Sequence, residues 1–200
     1  MKQFDMYIVG LGGQGVLTIG DLLAHAGMNK NMEVNFYPTK GMSQRGGFVQ
    51  GQVRFGRANA GPSLPPKGAD LVVAMERSEA LKGVRFAKEG ADFLLYDDTW
   101  MTTNVILKKD TYPALDVVEK EIKAANVNLY CLSSENLPRI DGVAVRANMF
   151  ILGALLSNTA LKELFTLDEI IDTLKTSFPK NVEPNILALN AGYNSSLKAE

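Results

Sequence analysis

Residues 4–28 read FDMYIVGLGGQGVLTIGDLLAHAGM, and this stretch decides the fold. It opens with a short apolar run at residues 4–9, which predicts a buried strand. A glycine cluster at residues 10–15 follows and predicts a tight turn. Residues 16–28 then place apolar side chains at helical spacing, which predicts a helix. The stretch therefore encodes strand, glycine turn and helix, in that order.

The alternation of strands and helices continues beyond this unit. Residues 33–37 (EVNFY) predict a second strand that ends at Pro38, parallel to the first and joined to it by a right-handed crossover. Phe48–Phe55 alternates apolar and polar residues, which is typical of a strand with one dry face. The proline- and glycine-rich residues 59–68 predict a surface loop. Further strands are predicted at residues 71–75, 93–96, 104–108 and 128–132, and helices at residues 76–88, 114–125, 143–157, 167–178 and 183–197.

This order of elements predicts an α/β protein. We expect a Rossmann-like, three-layer αβα fold with a largely parallel sheet, an antiparallel addition near Phe48–Phe55 and C-terminal helices. Thr166, with Glu169 three residues later, predicts a capped start for the second of those helices. No flexible linker separates the helical third from the rest, so residues 1–200 are expected to form one domain.

Composition excludes several classes of protein. The chain has 200 residues, of which 46% are hydrophobic and 22% charged, near the globular average, and this argues against long disorder or coiled coil. Its 21 basic and 22 acidic side chains leave a formal charge of -1, so neither nucleic acid nor an anionic membrane is expected as a partner. The sequence shows no signal-peptide pattern and no apolar run of about 18 residues, which predicts a cytoplasmic protein.

The single cysteine and single histidine limit the chemistry of the chain. Iron-sulfur clusters normally take four cysteines, and structural zinc takes about four Cys or His ligands, so neither is expected on this chain. Nucleophilic catalysis would have to use His25, for which packing within its predicted helix is the favoured interpretation. No catalytic residue and no metal ligand is predicted. Cys131 is interpreted as a core thiol.

The glycine cluster matches G-x-G-x-x-G between a strand and a helix. Such a loop brings backbone N–H groups to an anion at the helix N-terminus. The dinucleotide fingerprint also needs an acidic residue at the end of the second strand, where this chain has Phe36, Tyr37 and Pro38. A free-standing NAD(P)- or flavin-binding dehydrogenase is therefore the second hypothesis. A third possibility is that the glycines serve only turn geometry and packing.

A second glycine-rich segment, TKGMSQRGG at residues 39–47, follows the second predicted strand. In a doubly wound sheet it emerges at the same edge as the first loop, so the two loops should face one crevice. Arg45 beside Gly46 offers a planar cation next to backbone donors, a combination suited to phosphate or carboxylate. The alternative is a turn with a solvated arginine.

Three motifs together resemble a known family. GLGGQGVLT at residues 10–18, GMSQRGG at residues 41–47 with VRFG at residues 53–56, and RANMFILGAL at residues 146–155 are similar to the gamma-type subunit of 2-oxoacid:ferredoxin oxidoreductases. The SQRGG loop most resembles that of the beta subunit of indolepyruvate:ferredoxin oxidoreductase. The resemblance runs in order from about Asp5 to the C-terminal helix.

The resemblance implies a non-autonomous subunit of an oxidoreductase. Such enzymes oxidatively decarboxylate a 2-oxoacid (pyruvate, 2-oxoglutarate, ketoisovalerate or indolepyruvate) to acyl-CoA. Thiamine diphosphate and iron-sulfur clusters would then lie on thiamine-binding and ferredoxin-like partner subunits, with ferredoxin as the electron acceptor and coenzyme A as the cosubstrate. This chain would support the active site and coenzyme A binding. The binding residues implied by the motifs are Gly12, Gly13, Gln14, Gly15, Gln44, Arg45, Gly46, Arg146 and Asn148.

Arg146 and Asn148 also stand out from the residues themselves. They lie near the start of a strongly apolar helix, where a guanidinium and the helix dipole would both attract an anion. Two arginines from separate loops could clamp a diphosphate. The alternative is local: Arg146 would pair with Asp141, and Asn148 would bond a nearby loop carbonyl.

The residues after the strand predicted at 93–96 allow more than one interpretation. Asp97 and Asp98 could cap the following turn. Trp100 could be either a core residue or an interface anchor.

Overall fold

A computed structural model describes residues 3–41, 46–58, 60–61, 63–101, 103–140 and 142–199. Its main strands are β1 Phe4–Leu11, β2 Val34–Lys40, β3 Phe48–Phe55, β4 Ala69–Ala74, β5 Ala87–Asp97 and β6 Asn128–Ser133, and a separate hairpin joins β7 Arg139–Ile140 to β8 Val143–Ala144. The helices are α1 Val16–Asn29, α2 Arg77–Val84, α3 Thr103–Ile106, α4 Leu115–Lys123, α5 Ala147–Asn158, α6 Leu167–Ser177 and α7 Val182–Tyr193, with 3-10 turns at Ser134–Asn136 and Ala160–Glu163.

The six main strands form one sheet in the order β2-β3-β1-β4-β5-β6. β1, β4, β5 and β6 are parallel, and β3 runs antiparallel to both of its neighbours, β1 and β2. The predicted α/β class, the largely parallel sheet and the antiparallel addition at Phe48–Phe55 are confirmed. β2 has the direction of β1, as predicted, but β3 lies between them. The carboxyl ends of β1 and β2 therefore lie on the same side of the sheet, although the two strands do not pair with each other.

Helices cover both faces of the sheet. β1 is buried along its whole length, and its side chains alternate between two apolar clusters. Met6 and Ile8 pack with α1 and the C-terminal helices, whereas Tyr7 and Val9 pack with residues of α2 and α4. Side chains of a strand alternate between the faces of a sheet, so this division is the expected three-layer arrangement.

One predicted element and several predicted boundaries are wrong. Residues 104–108 were expected as a strand, but α3 lies there, and the 65% exposure of Ile106 explains why this short apolar run is not a buried strand. β2 continues through Pro38 to Lys40, because an edge strand tolerates a residue that lacks an N–H group. The helix predicted at residues 76–88 ends at Val84, and β5 begins at Ala87.

The helix predicted at residues 143–157 also begins later. Gly142 has φ 79°, which closes the β7–β8 turn, and Val143–Ala144 pairs with Arg139–Ile140 in place of extending the helix. The capping prediction is confirmed, since Thr166 Oγ1 accepts from the Glu169 N–H at 3.3 Å and Glu169 Oε2 accepts from the Thr166 N–H at 2.8 Å. No helix within the described residues is long and apolar enough to cross a bilayer.

Candidate functional site

The first glycine loop connects β1 to α1 at the carboxyl edge of the sheet. Gly15 caps α1 with φ 81°, and no side chain caps the helix, so its first N–H groups are not satisfied by a capping side chain. Gly13 has φ 107°, and a Cβ placed there would meet nothing within 4 Å. The loop therefore presents open backbone at a helix N-terminus, which is the arrangement that anions prefer.

Gln14, which is one of the predicted binding residues, uses its side chain to hold the first glycine loop against the end of the sheet. Its Oε1 accepts from the Leu11 N–H at 2.8 Å, and its Nε2 donates to the Met75 carbonyl at 2.7 Å and to Asp98 Oδ2 at 3.1 Å. These three bonds use the side-chain amide inside the protein. Gln14 therefore connects the loop to the ends of β4 and β5.

The two glycine loops lie side by side, as predicted. The Gly12 N–H donates to the Gly47 carbonyl at 2.8 Å, and the Gly46 N–H donates to the Gly12 carbonyl at 3.3 Å. The antiparallel pairing of Leu11 with Phe48 brings the loops to this position. Gln44 and Arg45 lie outside the described residues, so their predicted role stays a prediction.

The RAN motif meets the first loop at the start of α5. Arg146 is the N-cap residue of this helix and is exposed. Asn148 lies against the loop, since its Nδ2 is 2.5 Å from the position that a Cβ on Gly15 would take. Within the described part of the chain, no hydrogen bond or ion pair engages the Arg146 guanidinium, and Asp141, its predicted alternative partner, lies outside that part.

Two clefts flank the first loop and share Gly13, Gly15 and Thr18. The first, which we call the α1–β3 cleft, has a volume of about 570 Å³ and is lined by Leu11, Gly12, Gly13, Gly15, Val16, Leu17, Thr18, Lys40, Gly41 and Val49. The second, the α1–α5 cleft, has a volume of about 470 Å³ and is lined by Gly13, Gln14, Gly15, Thr18, Met75, Tyr96, Asp98, Trp100, Arg146, Ala147 and Asn148. The structure thus brings Gly13, Gln14 and Gly15 together with the RAN motif in the α1–α5 cleft, whereas Gly12 lines only the α1–β3 cleft.

The α1–α5 cleft lies outside the carboxyl ends of β1, β4 and β5. From β1 the chain crosses to β2 on one side, and from β4 it crosses to β5 on the other. This is the switch point at which doubly wound sheets bind ligands. Burial raises the pKa of Tyr96 to about 12, and the Asp98 carboxylate adds to the rise, so Tyr96 stays neutral at the floor of the cleft.

Asp98 and Trp100 are cleft residues that the sequence interpretation did not place in the site. A signal was present, because both follow the predicted strand at residues 93–96, whose carboxyl end shares the edge of the glycine loops. The Asp98 side chain accepts from Gln14, and among the residues that the structure describes it caps no turn. Trp100 is 44% exposed, which excludes the interpretation as a core residue.

A buried carboxylate holds the Trp100 segment in place. Glu76 is fully buried, and its Oε1 accepts from the Trp100 N–H at 3.3 Å and from the Tyr112 hydroxyl. Burial raises the pKa of Tyr112, and its hydrogen bond to Glu76 raises it further, so the phenol remains a donor. Beside it, Arg77 binds Asp97 through Nε at 2.6 Å and Nη2 at 3.1 Å.

His25 and Cys131 lie away from both clefts. His25 Nδ1 is 2.9 Å from the Asp21 carbonyl oxygen, and the ring meets Phe178 edge-on with 5.7 Å between centroids. The packing interpretation of His25 is confirmed. The Cys131 thiol is half-buried, packs against the edge of one apolar cluster and lies 3.5 Å from Glu119 Oε1, so it lies at the margin of the core and not inside it.

Comparison with known proteins agrees with this geometry. Residues 5–195 match the family described as pyruvate ferredoxin/flavodoxin oxidoreductase. The chain belongs to this family. A relative, indolepyruvate oxidoreductase subunit IorB of Archaeoglobus fulgidus, is 29% identical over 196 residues, which is 98% of this chain and 96% of the relative. The resemblance predicted from the three motifs is therefore confirmed.

Solved structures show the same fold. Pyruvate oxidoreductase subunit PORC from Thermotoga maritima superposes with a TM-score of 0.70 at 19% identity, over 99% of this chain and 98% of that one. The 2-oxoglutarate:ferredoxin oxidoreductase from Magnetococcus marinus, solved with 2-oxoglutarate, coenzyme A and succinyl-CoA bound, matches with a TM-score of 0.65 at 20% identity. That match spans 96% of this chain but 31% of the longer one.

Proposed function

We propose that this chain is the gamma-type subunit of a 2-oxoacid:ferredoxin oxidoreductase, forms one domain over residues 1–200, and helps to bind coenzyme A. The observation that carries the proposal is the α1–α5 cleft, which joins the glycine loop to Arg146 at a helix N-terminus. Membership of the oxidoreductase family supports the assignment of the reaction. Partner subunits would bind thiamine diphosphate and the iron-sulfur clusters, and ferredoxin would accept the electrons.

The residues of the cleft suit a diphosphate. Gly13 leaves open space at the N-terminus of α1, and Arg146 stands exposed at the N-terminus of α5. Two helix dipoles and one guanidinium would attract the same anion. Coenzyme A supplies the thiol that takes up the acyl group. In this proposal Gly13 and Gly15 offer backbone N–H groups and Arg146 pairs with phosphate oxygens. Gly12, Gln14 and Asn148 hold the loop in place. Gly46, bonded to Gly12, and the neighbouring Gln44 and Arg45 would complete the phosphate side.

The sheet order argues against the dehydrogenase hypothesis. In the dinucleotide fingerprint the acidic residue that binds the ribose lies at the end of a strand next to β1. Here β3 separates β2 from β1, and β2 ends in Pro38, Thr39 and Lys40, none of which is acidic. Saturable NAD(P) or flavin binding by the chain would contradict our assignment.

The subunit assignment is tested by purifying the chain alone and with the products of neighbouring genes. We expect 2-oxoacid-dependent reduction of ferredoxin only when thiamine-binding and ferredoxin-like chains are present. Activity of the isolated chain with pyruvate, indolepyruvate or a branched 2-oxoacid would contradict it.

The coenzyme A assignment is tested by Arg146→Ala in the assembled enzyme. Loss of one charge-assisted contact costs about 1.5 to 3 kcal/mol, so the KM for coenzyme A should rise about tenfold or more. The KM for the 2-oxoacid should stay constant. Lys162→Ala, which removes an exposed cation outside the residues lining the cleft, is the control. An unchanged KM for coenzyme A in the Arg146 variant would refute this role.

A further inference from the structure

The α1–α5 cleft contains more than an anion site. Beside the glycine loop and Arg146, it is lined by the carboxylate of Asp98 and the indole of Trp100. A carboxylate repels phosphate, and an indole offers it no charge. These two side chains therefore indicate a ligand with a second, different part next to its anionic one.

Asp98 has hydrogen-bonding capacity left for a ligand. Its Oδ2 accepts from Gln14 at 3.1 Å, whereas Oδ1 has no hydrogen-bond partner among the residues that the structure describes. No ion pair joins Asp98 to Arg146 in that part of the chain, so neither charge is neutralised by the other. A carboxylate oxygen accepts hydrogen bonds only, so its partner on the ligand must be an N–H or O–H donor.

Trp100 offers a flat aromatic surface that is held in place. Its backbone N–H donates to the buried Glu76, and its Nε1 lies 3.2 Å from the position of a Cβ on Gly46. The ring thus extends from the end of β5 to the second glycine loop while remaining 44% exposed. An aromatic base stacks well on such an indole.

We propose that the α1–α5 cleft recognises an adenine base, with Asp98 accepting from its amino group and Trp100 stacking on its ring, while the attached diphosphate lies at Gly13 and Arg146. Adenine carries an exocyclic N–H donor, and hypoxanthine carries a carbonyl oxygen at the same place. The proposal deepens the assignment above and rests on it, because coenzyme A contains an adenosine diphosphate portion. The same chemistry is present in free ADP.

The test uses the full chain and its own fluorescence. Trp100 is the single tryptophan, so quenching of tryptophan emission reports directly on this cleft. We expect ADP to quench the emission and to bind about tenfold more tightly than IDP, because a site built to hydrogen-bond a donor discriminates against a ligand that lacks it. Inorganic pyrophosphate should compete with ADP without quenching.

Asp98→Asn provides the sharper comparison. The amide keeps an oxygen for Gln14 and can donate through Nδ2 to the carbonyl of IDP, so the preference for ADP should disappear or reverse. Asp172→Asn removes an exposed carboxylate on α6 and should preserve the preference. Unquenched emission with ADP, equal affinities for ADP and IDP, or an unchanged preference in the Asp98 variant would overturn the inference.

Competition with coenzyme A separates this inference from the proposed function. Coenzyme A that displaces ADP and itself quenches Trp100 supports both. ADP that binds with the expected base preference but is not displaced by coenzyme A supports adenine recognition and contradicts the coenzyme A role. Equal affinities for ADP and IDP, together with the expected rise of the coenzyme A KM in Arg146→Ala, remove the base recognition and leave the proposed function standing.

Discussion

Gly15 is under two separate constraints. Its φ of 81° lies in the left-handed region, and a Cβ at this position would stand 2.5 Å from Asn148 Nδ2. Gly13, two residues earlier, has positive φ but open space around it. The two glycines of one motif therefore do different things. Gly15 allows close packing of the loop on α5, and Gly13 leaves room in front of the helix N-terminus.

Gly15→Ala should therefore cost more stability than Gly13→Ala. We expect a loss of about 1 to 3 kcal/mol in the free energy of unfolding from the left-handed backbone, with a further loss from the contact with Asn148. Gly13→Ala should lose only the backbone part. Urea unfolding followed by circular dichroism measures both. Gly61→Ala, where neither constraint is found, should stay within about 1 kcal/mol of the parent. Equal losses at Gly13 and Gly15 would show that the Asn148 contact is unimportant.

At the scale of elements, α5 and α7 pack with their backbones in close contact. A Cβ on Gly153 would collide with the Leu189 carbonyl oxygen and lie 2.7 Å from the Tyr193 nitrogen. A Cβ on Gly192 would collide with the Phe150 carbonyl oxygen. The obstacles are backbone atoms, which cannot rotate away. This crossing fixes the helix whose first turn presents Arg146 and Asn148 to the cleft.

Gly153→Ala should force α5 and α7 apart. Overpacking of this kind costs about 1 to 3 kcal/mol and more when backbone must move, so we expect at least about 3 kcal/mol of lost stability. Thermal unfolding provides the measurement. Leu187→Ala, on the exposed face of α7 with 44% of the residue accessible, should lose less than about 1 kcal/mol. A Gly153 variant as stable as the parent would mean that the helices are further apart than described.

Elements with a strong local signal were predictable from the sequence. The β1-loop-α1 unit and the cap of α6 follow from glycine geometry and from Thr166 with Glu169, which act within a few residues. The insertion of β3 between β1 and β2 did not follow, because strand order depends on pairing between distant residues. The α1–α5 cleft was half predictable. Its glycines and Arg146 belong to motifs, whereas Asp98 and Trp100 enter it through the position of β5.

At the scale of the whole molecule, buried tyrosines make the free energy of unfolding depend on pH in the alkaline range. Burial raises the pKa of Tyr7 to about 12, an effect that Arg85 opposes and Glu79 assists. Burial likewise raises the pKa of Tyr96 to about 12. The unfolded chain releases these protons near pH 10, and the folded chain retains them. The stabilisation is therefore complete below pH 10 and is lost as the pH rises from 10 to 12.

Tyr7→Phe should flatten this pH dependence. A difference of about two pKa units corresponds to about 2 to 3 kcal/mol, so the parent should lose about that amount per buried tyrosine between pH 10 and 12. The variant should lose correspondingly less over the same interval, although at neutral pH it lacks the hydrogen bond from the Tyr7 hydroxyl to Gln50 Oε1. Urea titrations from pH 8 to 12 provide the profile. Tyr37→Phe, at a residue 42% exposed, is the matched control. Identical profiles for parent and Tyr7 variant would contradict the assignment.

Two backbone hydrogen bonds join Gly12 to Gly46 and Gly47, so the two glycine loops are expected to move together. Amide protons at Gly12 and Gly46 are shielded by the same contact, so a fluctuation that frees one frees the other. A subunit or small molecule that binds residues 46–47 alone would stabilise these two hydrogen bonds. It would therefore slow deuterium exchange at the Gly12 amide as well, and it would restrict motion at the start of α1 without contacting that helix.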